Sequence, residues 1–149
     1  MLRPRLAGLE FAAVYSSPMQ RARRTAEIAG FPEPRITELL QEVDYGEYEG
    51  MTSAEIREVH PDWQLYRDGC PGGETPEEVY RRARDFIDLA LTTPGNVLGF
   101  AHGHIIRAIA VAWTSLDITS AIRFQLDVAT LSILAEDQHA RGVKLWNAP

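Results

Sequence analysis

Residues 96–113 read NVLGFAHGHIIRAIAVAW. The first six, Asn96 to Ala101, form a short apolar run after the Pro94-Gly95 turn, and they read as a fully buried strand. His102-Gly103-His104 interrupts the run. Ile105 to Trp113 then forms an almost wholly apolar stretch with the length of a buried helix. A strand that is apolar on both faces, followed at once by such a helix, belongs to a parallel sheet covered on two sides.

The same unit occurs earlier. Residues 11–15 (FAAVY) are a second apolar run, ended by Ser16-Ser17-Pro18. Ser17 suits an N-cap and Pro18 the first helical position, so a helix is expected from there to about Ala29, stopped by Gly30. Met19, Ala22, Ala26 and Ala29 give its apolar face. Residues 35–37 suggest a short strand. Residues 38–50 (ELLQEVDYGEYEG) show no clean period, and their five carboxylates, two tyrosines and two glycines read as a structured loop. Thr52 with Glu55 forms a capping box for a short helix ending before Pro61, with another turn or two over 62–68 and a loop over 69–74. Thr75, Pro76 and Glu78 open a longer helix whose buried stripe is Val79, Ala83, Phe86, Ile87, Ala90 and Leu91. A short helix near 117–123, a strand over 129–135 and a last edge strand over 141–146 complete the chain. Strands alternating with helices predict one α/β domain over residues 1–149, in three layers around a mostly parallel sheet.

The composition narrows the function. The 149 residues carry 15 Lys+Arg and 21 Asp+Glu, a net charge of −6. An acidic balance argues against nonspecific nucleic-acid binding. One cysteine, Cys70, excludes an internal disulfide framework and a multi-cysteine metal site. No apolar run approaches the ~18–20 residues that span a bilayer. Residues 1–10 contain no apolar signal core. The expectation is a cytoplasmic protein without membrane association.

Ligands of open α/β sheets bind outside the carboxyl ends of the strands. Two strand ends carry polar groups there: Ser16 to Arg21, and Ala101 to His104. Each leads into a helix whose free amides and dipole favour an anion. Arg21 in a first turn can grip phosphate with two parallel N–H groups, and Gly103 allows close approach to the backbone. Bare spacing leaves an ion-paired surface arginine and a packed histidine open as alternatives. His-Gly-His is a poor metal pair, because neighbouring positions point apart and no carboxylate or cysteine cluster is spaced with it. Cys70 reads as an inert thiol. No metal or organic cofactor is expected. A nucleotide-binding Rossmann domain is excluded because no G-x-G-x-x-G follows a strand.

Four segments together resemble one family. SSPMQRARRTAEIAG (16–30), LLQEVDYGEYEGMT (39–52), PGGETPEEVYRRARDFI (71–87) and VLGFAHGHIIRAIA (97–110) resemble, in order, the motifs of the histidine phosphatase superfamily in its phosphoglycerate-mutase-like branch. DYGEYEG, PDW and GCPGGE look most like small bacterial acid phosphatases. The resemblance implies hydrolysis of phosphomonoesters through a phosphohistidine, acting on a phosphorylated small molecule. It implies that Arg21, His102 and Gly103 hold the phosphoryl group, with His102 polarising it. It implies that Glu42 gives the leaving group its proton, which requires a carboxyl protonated near working pH. Asp44, Glu47 and Glu49 compete for that role, although Glu49 reads better as fixing its turn. His104 and Arg107 read as structural or rim residues.

The family's first strand ends in Arg-His-Gly, whose histidine is the nucleophile, and no Arg-His-Gly occurs among these 149 residues. LAGLEFAAVYSSP (6–18) resembles the end of the family's first helix running into its second strand. The expectation is a truncated reading of a longer protein that lacks the first strand and is inactive as this chain, with apolar edges left on FAAVY or VLGFA. His102 cannot take the nucleophile's place, since covalent transfer needs an in-line nucleophile and a separate stabilising shell. The alternatives are a non-catalytic phosphate-binding pseudoenzyme or interaction domain, and a phosphoglycerate mutase. Only 59 residues separate Glu42 from His102, fewer than in the mutases, which favours a phosphatase. A homodimer through an edge strand or the apolar 105–113 helix is also expected as an option.

Overall fold

A computed structural model describes residues 2–149. Helix α1 (Leu2–Leu6) leads into β1 (Ala13–Ser16), α2 (Gln20–Ala29) and the two-residue β2 (Arg35–Ile36). Two 3-10 turns, Glu38–Leu40 and Gly46–Tyr48, lie within the expected structured loop. Then come α3 (Ser53–Val59), α4 (Leu65–Asp68), α5 (Pro76–Leu91), β3 (Val97–Phe100) and α6 (Gly103–Trp113). A 3-10 segment (Ile118–Arg123) precedes β4 (Leu131–Glu136) and β5 (Arg141–Ala148).

The parallel sheet runs β2-β1-β3. Alternation along its strands divides the core. Ala13 and Tyr15 of β1 face the α5 and α6 side, where they join Phe86, Ile87, Ile105, Ala108 and Ile109. Leu98 and Phe100 of β3 face the other side and pack with Leu6, Ala26 and Ala29 of α1 and α2. The result is an α/β fold with helices on both faces of the sheet, as the alternating pattern predicts. FAAVY is the central strand, whereas β3 pairs with β1 alone among the described residues, so the apolar edge falls on VLGFA.

The structure corrects several expectations. The last two strands add nothing to the parallel sheet: β4 and β5 pair with each other, antiparallel, as a separate hairpin. This hairpin docks on α6, where Trp113 Nε1 donates to the Ala135 carbonyl at 3.2 Å and the Arg141 guanidinium lies 4.5 Å from the Trp113 ring centroid. Of the apolar 105–113 helix, Ile105 and residues 108–112 are buried within the chain. Leu91 is exposed rather than part of the α5 stripe. Helix α2 starts at Gln20, not Pro18, and α6 starts at Gly103, not Ile105. Both capping boxes form as predicted, Thr52 with Glu55 and Thr75 with Glu78, each worth about 1 kcal/mol.

The register positions the site. Ser16 of β1 stands beside Phe100 of β3, and the Ser17 amide extends the ladder onto the Phe100 carbonyl at 2.9 Å. The carboxyl ends of both strands therefore lie level, and Ser17 and His102 leave the sheet side by side.

Candidate active site

His102 is the N-cap of α6, but its side chain caps nothing. The ring turns instead toward β1 and is almost completely buried. Its Nδ1 accepts from Arg21 Nε at 2.9 Å, and its Nε2 lies 2.8 Å from Ser17 Oγ. A guanidinium can only donate, so Nδ1 is the acceptor and a neutral ring carries its proton on Nε2, facing Ser17. Burial first, then the Arg21 charge, lowers the His102 pKa below the ordinary imidazole value and keeps the ring neutral. Ser17 is fully buried and also accepts from the Met19 amide at 3.2 Å.

Glu42 comes from the loop and lies over the start of α6. Its Oε1 accepts from the Val43 amide at 3.0 Å and the Ile105 amide at 3.2 Å. Its Oε2 accepts from the His104 amide at 3.3 Å and lies 3.3 Å from His104 Nδ1. Burial alone would raise the carboxyl. The His104 hydrogen bond and charge, with the Val43 and His104 amides, outweigh burial and hold it down at about 2. Glu42 is therefore ionised at neutral pH, the opposite of the raised value expected of a proton donor. The physical reason is its seat: the His104 side chain first, and then the Val43 and His104 amides where α6 begins, stabilise the anion.

The loop that carries Glu42 is held from α5. Arg82 forms a two-armed pair with Glu74, at 2.7 and 2.8 Å, and donates to the Leu39 and Gln41 carbonyls at 3.1 and 2.7 Å. Glu74 also accepts from the Asp44 amide at 2.9 Å. Gly46 and Gly73 let the two loops meet backbone to backbone. A Cβ on Gly46 would collide with Gly73 N and the Pro71 carbonyl, and one on Gly73 with the Asp44 carbonyl. Glu49 fixes its turn as expected, accepting from the Tyr45 amide at 2.9 Å. His104 is held by the Tyr45 hydroxyl at 3.2 Å, and its carbonyl accepts from the Tyr66 hydroxyl at 3.0 Å.

Arg21, Glu42 and His104 line one cleft of about 630 Å³. The terminal nitrogens of Arg21 form no hydrogen bond among the described residues. His102 lies behind Arg21 rather than on the cleft wall. Gly103 has open space where a Cβ would stand. The four residues named from sequence thus gather at one end of the sheet, with both His102 ring nitrogens engaged. Arg24 pairs instead with Glu27 on the surface, and Arg107 keeps a buried Nε without a hydrogen-bond partner among the described residues. Burial, then the Glu49 and Asp44 charges, pushes the Cys70 thiol up to about 11, which leaves it unreactive at neutral pH. No group of three or more His, Cys, Asp or Glu among the described residues is placed to hold a metal. Sequence reading missed the Ser17–His102 contact, having used Ser17 as a helix cap, and missed the Arg82–Glu74 clamp. The paired serines before Pro18 were the available signal for the first. Nothing local signals the second, since Arg82 serves a loop some 40 positions away.

Comparison with known proteins places this geometry. The family model of the histidine phosphatase superfamily (branch 1) matches residues 1–149. An acid phosphatase of Mycobacterium tuberculosis is 38% identical over 135 residues, covering 89% of this chain and 66% of its own length. A sedoheptulose 1,7-bisphosphatase of Saccharomyces cerevisiae is 30% identical over 131 residues, covering 70% of this chain and 48% of its own. The solved structure of an open reading frame product of Mycobacterium tuberculosis superposes with a TM-score of 0.88 at 36% identity, over 91% of this chain and 72% of that one. The chain thus spans roughly half to two thirds of the length of these two curated relatives.

Proposed function

We propose that this chain, which belongs to branch 1 of the histidine phosphatase superfamily, supplies the phosphate-gripping and proton-donating part of a phosphomonoesterase acting on small phosphorylated molecules. The observation that carries the reading is the meeting of Arg21, His102 and Glu42 where β1 and β3 end and α6 begins. A phosphoryl group in transfer spreads charge over its oxygens and needs fixed cations and donors around it. Arg21 supplies the cation. The first-turn amides of α6 supply donors, beside Gly103, where nothing blocks approach. His102 Nε2 supplies one more when Ser17 gives it up.

Glu42 then acts as an acid made by its substrate. An incoming phosphate competes for the His104 and Ile105 amides and brings negative charge close to the carboxylate. Both effects raise the Glu42 pKa from its low resting value, so the proton is taken up only when a substrate is present to receive it. The acid phosphatase and bisphosphatase relatives support phosphate esters as the substrate class.

The covalent step needs an imidazole in line with the leaving group. None of the chain's four histidines fits that role: His102 is buried with its Nδ1 lone pair taken by Arg21 and its Nε2 turned to Ser17, His104 is tied to Glu42, and His60 and His139 lie outside the cleft lining. We therefore read the 149 residues alone as binding without efficient turnover, the nucleophile belonging to an Arg-His-Gly segment outside them. Titration with inorganic phosphate and a p-nitrophenyl phosphate assay on the same preparation test this. Expected are Arg21-dependent binding and only trace hydrolysis. Robust turnover abolished by His102→Ala would overturn the account of the nucleophile. The second reading, a pseudoenzyme, is favoured by the engagement of both His102 nitrogens, and it requires that no in-frame Arg-His-Gly lie upstream of Met1.

A further inference from the structure

We propose that the cleft selects phosphate monoesters whose remaining part carries no second anion. The proposal deepens the phosphomonoesterase reading and rests on it. Arg21 is the one Lys or Arg among the residues lining the cleft. That single cation is committed to the phosphoryl group. The rest of the lining carries carboxylates from the loop, namely Glu42, Asp44 and Glu49, interleaved with Met19, Tyr45 and Met51.

Asp44 and Glu49 are fixed rather than neutralised. Asp44 Oδ1 accepts from the Gly46 amide at 2.8 Å, and Glu49 Oε1 from the Tyr45 amide at 2.9 Å. Neither pairs with a cation among the described residues. Arg82, which reaches this loop, is spent on Glu74, whose other oxygen holds the Asp44 amide. The field they create is felt by their neighbours: after burial, the charges of Glu49 and Asp44 are what push Cys70 up. Arg107 acts on Tyr45 and Tyr66 from within α6 but does not line the cleft.

A ligand anchored by its phosphate at Arg21 must lay its remaining part along this wall. An aromatic or aliphatic part meets Met19, Tyr45 and Met51. A cationic part meets two carboxylates. A carboxylate or second phosphate meets like charge with no second Lys or Arg in the lining to offset it, only the uncharged Gln41, Thr52 and Ser53 and the His104 ring already tied to Glu42. Each such like-charge pair at about 8 Å across a wet cleft costs a factor of about two to five in affinity. The discrimination weakens as salt screens the cleft.

The test is binding to the 149-residue chain by calorimetry at constant, low ionic strength, with phenyl phosphate, phosphocholine and 3-phosphoglycerate as probes. The expected order is phosphocholine and phenyl phosphate tighter than 3-phosphoglycerate by about tenfold. Asp44→Asn and Glu49→Gln keep an acceptor on the same amide and remove the charge. Each should narrow the gap between phenyl phosphate and 3-phosphoglycerate by about two- to fivefold. An unchanged gap in both variants, or 3-phosphoglycerate binding as tightly as phenyl phosphate while still lost in Arg21→Ala, overturns the specificity and leaves the phosphate site standing. Failure of every probe to bind, or binding that survives Arg21→Ala, overturns the phosphomonoesterase reading and this inference with it.

Discussion

Replacing Glu42 by Gln measures how strongly the start of α6 holds its anion. Glutamine has the shape of a protonated glutamic acid, and its oxygen can still accept from the Val43 and Ile105 amides that Oε1 serves. What it loses is the charge and the Oε2 contacts with His104. The carboxyl falls from 4.5 in the unfolded chain to about 2 in the fold. At about 1.4 kcal/mol per unit, the ionised form contributes about 3 kcal/mol. The sign follows from a depressed folded value. The contribution is complete above the unfolded pKa and is lost as pH falls through the folded one.

Wild type and Glu42→Gln should therefore differ by about 3 kcal/mol at pH 7 and pH 5, and by about half that at pH 3. Urea denaturation at the three values reads the difference directly, with the slope on denaturant unchanged. For a domain of this length, the same loss lowers the melting temperature by about 6–12 °C at neutral pH. A difference below about 0.5 kcal/mol at pH 7, or one equally large at pH 3, would refute the assignment of Glu42 as a carboxylate seated on helix amides.

Arg21→Ala should weaken inorganic phosphate by about 10- to 100-fold in a binding titration, the worth of a charge-assisted contact, and Arg21→Lys should recover only part of it. Gly73→Ala drives a Cβ into the Asp44 carbonyl, so it should cost at least about 2 kcal/mol in denaturant and weaken phosphate together with stability. Arg82→Met removes the clamp on residues 38–44 and strands Glu74; chemical denaturation should show a loss of about 2–4 kcal/mol, and a loss below about 0.5 kcal/mol would show that Arg82 is not what holds the loop.

The features legible in the sequence are those whose partners lie within a few positions. Thr75 and Glu78 cap α5 through contacts three residues apart, and Gly30 closes α2 with a left-handed turn at φ 103°. Where the deciding partner is distant, the reading slips. Pro18 lies outside α2 because Met19 after it is extended, at ψ 135°, while the Ser17 hydroxyl accepts from the Met19 amide and meets His102. Helix α6 begins at Gly103 and His104, poor helix formers, because a carboxylate some 60 positions away accepts from their end of the helix. The β4–β5 hairpin has the apolar pattern of any covered strand, and only its packing on α6 separates it from the parallel sheet. The candidate site divides in the same way. Arg21, Glu42, His102, Ser17, Glu74 and Arg82 all stand in recognisable strings, but the contacts of Ser17 with His102 and of Arg82 with Glu74 and the loop carbonyls cross the fold, and spacing does not reveal them.

The start of α6 explains why those distant residues matter. It offers one set of free amides and, in the free chain, one carboxylate occupies it. The clamp from Arg82 and the glycine contact at Gly46 and Gly73 keep that carboxylate in place, so the loop holds an anion where we propose that a phosphate binds. On the proposed reading, a phosphate enters by displacement. The energy that seats Glu42 is set against binding, and in exchange Glu42 is left beside the leaving group with its amides withdrawn and its proton affinity raised. A Glu42 that bound nothing would be a free rim carboxylate with an ordinary pKa, protonated too rarely at neutral pH to serve as an acid and not responsive to substrate. On the displacement reading the low resting value is compatible with proton donation, because it belongs to the carboxylate seated at the start of α6 and rises once a phosphate takes those amides.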